Sequence, residues 1–543
     1  MKTESLLDAA SAQALAFAWL ANAVRPVSEY GERVFADLRP FKPGEEAAAS
    51  ARAQRIAGVA ATFDSARLDA VRDALRGAPD AVGAIARASM GDVLADANFL
   101  ELQRFCDAIA RVDSLGAGVP GIEPVANDAV RAAGRALEPG RSGKFGFYLA
   151  DAFDGRLAAE RAELARAQAE FDAARGRAYA KVGRQLGRDD FGEEFIVMRA
   201  DLRGSVPVGV RVLREAPTYL LCALEFDSAT LAALERRDAA ADAAAVAEEA
   251  VRAALCAVVR RYAAQLDAAA VALGELDVLA AAAAFTRKHR CSVADVVGEP
   301  ALAFEGGRFL PLEIELGAEG RAFAPIDVEL HDTAVLTGPN MGGKSVCLRT
   351  CGLIAVCAAF GLPVPADRAR TSLFEEIAWL GIGSDEDQLG GLLSSFAKEV
   401  VRLREVLERD AARLFVMVDE FARTTTPLEG KALVVALLER LRERAACGLV
   451  ATHLAGVARE AGARHFAVRG LRGIPRRPPA GGLQAALAAL AASMDYTIAE
   501  VGDDAAAGTD ALALAALLGL DAGLVGAAYR HLGAEAPPPG GQE

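Results

Sequence analysis

The octapeptide Gly338-Pro339-Asn340-Met341-Gly342-Gly343-Lys344-Ser345 fits the phosphate-cradling pattern G-x-x-x-x-G-K-[ST]. Its setting is as informative as its letters. Thr333-Ala334-Val335-Leu336 reads as a short buried strand before it, and Val346-Cys347-Leu348-Arg349 onward reads as an apolar helix after it. A strand that enters a helix through a glycine-rich loop makes an anion site, because backbone N–H groups converge there and the helix dipole favours negative charge. With Val346, these residues form the expected ATP contact. Lys344 would lie over the β- and γ-phosphates, and the Ser345 hydroxyl would hold Mg²⁺.

Three further stretches complete a hydrolytic constellation. Leu414-Phe415-Val416-Met417-Val418 is an apolar strand ending in Asp419-Glu420. An aspartate there would order Mg²⁺, and the glutamate beside it would polarise the water attacking the γ-phosphate. Gly448-Leu449-Val450-Ala451 leads into Thr452-His453; a histidine at a strand end is commonly structural, but at the mouth of a nucleotide sheet it is a candidate reader of the γ-phosphate. Ser394-Ser395-Phe396 precedes a helical pattern, and on residues alone the serine pair reads as an N-cap.

The elements that must position these residues follow from patterning. The 543-residue chain has room for several domains. Its first half is rich in Ala, Leu, Arg and Glu at helical spacing, as over Ala51 to Leu75 and Ala150 to Leu186, with a turn-rich break at Gly116 to Gly121. Phe195-Ile196-Val197-Met198, Val206 to Val210 and Tyr219-Leu220-Leu221-Cys222 read as short strands, and long helices resume from Thr230 to His289. From about Val296, strands and helices alternate as in a three-layer α/β domain.

The resulting expectation is a multidomain chain. A mainly helical core and lever region (1–190) carries a small β-containing, clamp-like insertion (191–228). Returning helices (229–296) lead to an α/β P-loop ATPase domain (297–534) and a disordered tail (535–543). A basic, proline-rich segment, Gly473 to Pro479, reads as an exposed loop.

Bulk properties narrow the partners. The 53% hydrophobic content comes largely from alanine, and charged residues are expected to interrupt every apolar run before it reaches membrane-spanning length. The eight cysteines lack any C-x-x-C pair, and Cys347 and Cys351 read as buried small apolar residues. A cytoplasmic setting with no membrane is the expectation. The net charge of −14 lowers the prospect of a large phosphate-binding field without excluding a local one.

This constellation resembles the MutS family of ATPases, a branch of the ABC superfamily. GPNMGGKS is similar to that family's own phosphate loop, Asp419-Glu420 with Arg423 and Thr425 to its acidic strand end, Ala451-Thr452-His453 to its A-T-H segment, and Ser394-Ser395-Phe396 to its S-T-F signature. Leu276-Asp277-Val278-Leu279 and Tyr30-Gly31-Glu32-Arg33 look like the family's helical core. The resemblance implies a homodimer in which Ser394 and Ser395 close over the nucleotide of the other subunit. It also implies catalytic roles for Lys344, Glu420 and His453, with Ser345 and Asp419 at the metal.

Departures shape the functional expectation. No mismatch-reading domain is expected ahead of the helical core. The glycine-rich segment after the acidic pair is replaced by Phe421-Ala422-Arg423-Thr424-Thr425-Thr426-Pro427-Leu428-Glu429-Gly430, which should close glycine-dependent backbone conformations to that loop. This version, with Met494-Asp495-Tyr496, is similar to a MutS-like subgroup associated with cobalamin-dependent aminomutases such as lysine 5,6-aminomutase. That likeness implies an ATP-driven reactivase, with the aminomutase or a companion reactivase subunit as partner. The alternative is a homologue that clamps branched or recombining duplex DNA. Arg199, Arg203, Arg211 and Arg214 stand in the clamp-like segment, offset by Glu193, Glu194, Asp201 and Glu215.

Overall fold

The computed structural model describes residues 1–3, 6–143, 146–188, 190–202, 204–339, 343–381, 395–444, 447–471, 494–502, 512, 515–516 and 520–532, with the backbone alone at 395 and 471. Asn340, Met341, Gly342, Ser394, the 473–479 segment and the tail lie outside the described residues. The chain forms two compact units, one of residues 1–76, 114–123 and 273–543, the other of residues 77–113 and 124–272.

The first unit is built on a six-stranded sheet: β1 (Thr333–Thr337), β2 (Glu376–Gly381), β3 (Leu414–Asp419), β4 (Cys447–Ala451), β5 (Arg464–Leu471) and β6 (Met494–Glu500). Its order is β2-β3-β4-β1-β5-β6. The first five strands are parallel and β6 is antiparallel. Phe415 to Val418 and Ala334 to Leu336 are wholly buried, as strands covered on both faces must be. Val416 and Val418 share a core cluster with the helices Ser395–Glu408, Pro427–Glu443 and Val457–Ala461 through Val406, Val434 and Ala458. Met417 faces the other way, against the Lys344–Ala359 helix; a Cβ on Gly352 of that helix would come within 2.9 Å of the Met417 sulfur. A second, mixed sheet pairs Asp295–Val297, Arg368–Ser372, Leu302–Gly307 and Ile326–Leu330.

The outer strand β2 is covered by the chain's own beginning. Ile377 N donates to Leu6 O at 2.8 Å and Trp379 N to Ser11 Oγ at 2.8 Å. Covering an edge removes a template for unwanted strand pairing. Asp8 caps the Ala9–Ala14 helix and pairs with Arg402 and, at 2.6 Å, Arg409. Burial alone would raise the Asp8 carboxyl, but the two arginines and the Ser11 N–H hold it at about 2.

Asp277, wholly buried, accepts from Val27 N at 3.0 Å, Ser28 N at 2.7 Å and Ser28 Oγ at 2.6 Å. It thereby anchors the start of the Glu29–Asp37 helix, and a Cβ on Gly31 would fall 2.4 Å from its carboxylate.

In the second unit two long helices, Gly155–Leu186 and Ser228–Arg261, pack together through Phe171, Ala174 and Ala233. Asp154 and Asp227 cap their starts, and Gly187 ends the first in a left-handed turn. Between them lies an antiparallel sheet in the order Glu194–Met198, Tyr219–Leu224, Val210–Glu215. Phe195, Val197, Leu220 and Cys222 form its inner face.

Three sequence expectations need correction. The strand expected at Val206 to Val210 is a turn, because Pro207 fixes its backbone and Gly209 takes φ +93°; the strand begins where the other was to end. The helical run of Ala51 to Leu75 breaks between Thr62 and Ser65. Among the described residues one helix, Ala263–His289, is long and apolar enough to cross a membrane, against the expectation that none would be; 72% of its apolar window is buried within the protein.

Candidate nucleotide site

The expected residues meet at the C-terminal edge of the sheet. Strand β1 delivers Gly338, where a Cβ would strike Val468 at 2.9 Å. Gly343, at φ +86°, starts the Lys344–Ala359 helix beside the Tyr496 ring. That left-handed position suits glycine alone in so close a space. Lys344 is 5% exposed. Its ammonium donates to Gly338 O at 3.0 Å and Pro339 O at 3.2 Å, and pairs with Glu420 Oε1 at 3.2 Å. Val346 follows Ser345 on the same helix, and the Ser345 hydroxyl acts to lower the Asp419 carboxyl.

Asp419 ends β3 and stands opposite Gly381 of β2 and Ala451 of β4. Burial pushes its carboxyl up, the Ser345 hydroxyl pulls it down, and the neighbouring Glu420 pushes it up again. Two adjacent carboxylates and a serine hydroxyl in one half-buried place are hard oxygen donors, a set that suits Mg²⁺. A side chain at Gly381 would meet Asp419 Cβ and Trp379 Nε1, each at 2.8 Å, so this glycine leaves Asp419 its room.

His453 stands exposed, two residues beyond Ala451, whose strand lies between those of Asp419 and Leu336. Of Ser395 the structure gives only its place at the start of its helix.

The loop after the acidic pair departs from expectation. Loss of glycine was expected to close left-handed backbone to it, yet Glu420 takes φ +57° and Ala422 φ +62°. Such residues cost on the order of 1–2 kcal/mol each and persist only where their surroundings hold them. Here Glu420 N donates to Ala451 O at 3.0 Å and Ala422 N to Glu399 Oε2 at 2.8 Å. Pro427 is the first residue of a helix capped by Thr426, where a missing N–H does no harm.

Two residues of this neighbourhood escaped the sequence reading. Arg349 lies one turn beyond Ser345 and lowers the Asp419 carboxyl; its guanidinium stands 5.6 Å from the Trp379 ring centre. The spacing of four from Ser345 was the available signal. His465 of β5 contacts Thr337 Oγ1 at 2.8 Å, directly before the loop, and no sequence pattern announced it.

A P-loop helix, an acidic strand end and a parallel sheet define an ATPase-type domain. Residues 334–469 match the family described as MutS domain V. The chain is 30% identical over 463 residues to the DNA mismatch repair protein MutS of Nitrobacter hamburgensis, covering 79% of this chain and 50% of that protein. It is 40% identical over 203 residues to the DNA mismatch repair protein MutS of Thermus thermophilus (36% and 23%). It is 31% identical over 190 residues to the Endonuclease MutS2 of Fusobacterium nucleatum (34% and 23%). The matches span from about a quarter to half the length of these relatives. Over these spans the chain is similar to proteins of the MutS family.

Proposed function

We propose that this protein is a MutS-type ATPase that binds ATP with Mg²⁺ and hydrolyses it to ADP and phosphate. The observation that carries the reading is the convergence of Lys344, Ser345, Asp419 and Glu420 on one sheet edge. Lys344 would exchange Glu420 and the loop carbonyls for phosphate oxygens, which leaves Glu420 free to orient water. Ser345 and Asp419 would hold the Mg²⁺, whose contribution is to neutralise phosphate charge. His453 would read the γ-phosphate from the neighbouring strand end.

In the same reading the protein works in the cytoplasm as a homodimer, with Ser394 and Ser395 reaching the partner's nucleotide. The helical core, clamp-like insertion, returning helices and ATPase domain keep the boundaries given above, and the long helices carry the motion.

Two clients fit this engine. Duplex DNA has behind it the names of the mismatch-repair relatives. A protein client, a cobalamin-dependent aminomutase under reactivation, has behind it the Asp419–Gly430 resemblance and the outer face of the small sheet. There Ile196 and Met198 are exposed, and Arg199 is paired with Glu215 at 2.7 Å. Steady-state ATP turnover with and without duplex and branched DNA tests both parts. Turnover stimulated by DNA, with the stimulation fading as salt rises, supports the DNA client. Turnover indifferent to DNA but raised by the aminomutase supports the protein client, and no turnover under any condition removes the ATPase reading.

A further inference from the structure

We propose that Glu399 is a positioning residue for this site: its carboxylate, through the Ala422 N–H, holds the left-handed turn that aims Glu420 at Lys344, and so ties hydrolysis to the Ser395–Glu408 helix. The proposal rests on the hydrolase reading.

The turn from Glu420 to Ala422 holds two left-handed non-glycine residues in three. Its middle residue, Phe421, is buried and packs toward Phe396 of the same helix, ring centres 6.5 Å apart. Its back lies against Gly430, where a Cβ would come within 3.2 Å of Ala422 O. Sterics therefore enclose the turn, and two hydrogen bonds fix its strained ends. The first, Glu420 N to Ala451 O, comes from the sheet. The second, at 2.8 Å, comes from Glu399 and is strengthened by the acceptor's charge.

Glu399 is held there at a cost. Its other oxygen, Oε1, is buried and has no hydrogen-bond partner among the described residues. Burial raises its carboxyl, against the pull of the Ala422 N–H and Arg423. A buried acceptor with half its capacity unused is not explained by stability, since an apolar side chain would fill the space more cheaply. It is explained by the one bond it makes. Arg402, one turn further along the helix, is fixed by Asp8, and Phe396, one turn before, packs toward Phe421, so the helix is held on both sides of Glu399. Displacing the helix must therefore move or release Ala422, and with it the Glu420 carboxylate. A misplacement of about 1 Å can cost ~100-fold in rate.

The test compares Glu399→Ala with Glu399→Gln, whose amide oxygen can accept the same N–H. In Glu399→Ala, kcat should fall about tenfold or more while ATP affinity stays within about twofold. Hydrogen exchange of the Ala422 amide, followed in peptides spanning 419–424, should accelerate in the same protein. Glu399→Gln should restore both. Unchanged exchange in Glu399→Ala would deny the contact. Faster exchange with unchanged kcat would deny the aiming, and Glu399→Gln with a protected amide but slow turnover would show charge at work instead of position. A wild-type protein without turnover would remove the hydrolase reading and this role together, whereas the exchange comparison reports on the contact by itself.

Discussion

The two compact units achieve order by opposite means. Among the described residues, all four non-glycine residues with left-handed backbone (Ala16, Arg290, Glu420 and Ala422) belong to the nucleotide-site unit. In the long-helix unit the left-handed positions are glycines, as at Gly91, Gly187 and Gly209. Buried charge divides in the same way: Asp277, Lys344 and Arg308 lie in the first unit. The second places its ion pairs, such as Arg161 with Glu248 at 2.7 Å, on half-exposed helix faces. Strain and buried charge are expensive, and they gather where side chains must be aimed. Long helices that need only be stiff are specified by caps and repetition.

By this contrast, perturbing the first unit should cost far more. Lys344→Ala should weaken ATP binding by ~100-fold or more, and Glu420→Gln should lower kcat by ~100-fold with affinity retained. Titration with a fluorescent ATP analogue and steady-state turnover separate the two; equal effects of both substitutions on affinity would contradict the roles assigned. Asp277→Ala, which strands the Val27 and Ser28 donors, should destabilise by about 3 kcal/mol in chemical denaturation. Loss of less than about 1 kcal/mol would show that water serves those donors equally well. In the second unit, Arg161→Ala should cost no more than about 1 kcal/mol, and a larger loss would erase the distinction.

The smallest effect is a pH dependence at Asp8. Because its folded pKa lies below the unfolded value, its stabilisation is present above about pH 4 and disappears as pH falls toward about 2. The gap in Tm between wild type and Asp8→Asn should be flat from pH 7 to 5 and narrow below that. A gap that narrows near neutrality would point to a different group.

What could be read from sequence follows the same division. The strand before the phosphate loop was legible within one residue, as was the end of β3 at Asp419, because apolar runs bounded by glycine or acid are local signals. The long helices were legible too, although no Gly or Pro marks the boundary between two of them at Tyr262. The left-handed turn at Glu420 was not, since D-E-F-A contains none of the residues that usually announce one. Nor was the tie between Asp8 and Arg409, whose partners stand 401 positions apart. The site's chemistry is local in sequence, but the forces that aim it are not.

Trp379 offers a practical consequence. It is one of only two tryptophans, lies beside Gly381 opposite Asp419, and faces the guanidinium of Arg349 on the phosphate-loop helix. A cation near an indole alters its emission, so the molecule carries its own optical gauge of how that helix shifts. Trp19, edge-on to the rings of Phe285 and His289, supplies a steadier background. A Trp379→Phe protein would show which part of any nucleotide-dependent glow belongs to the site.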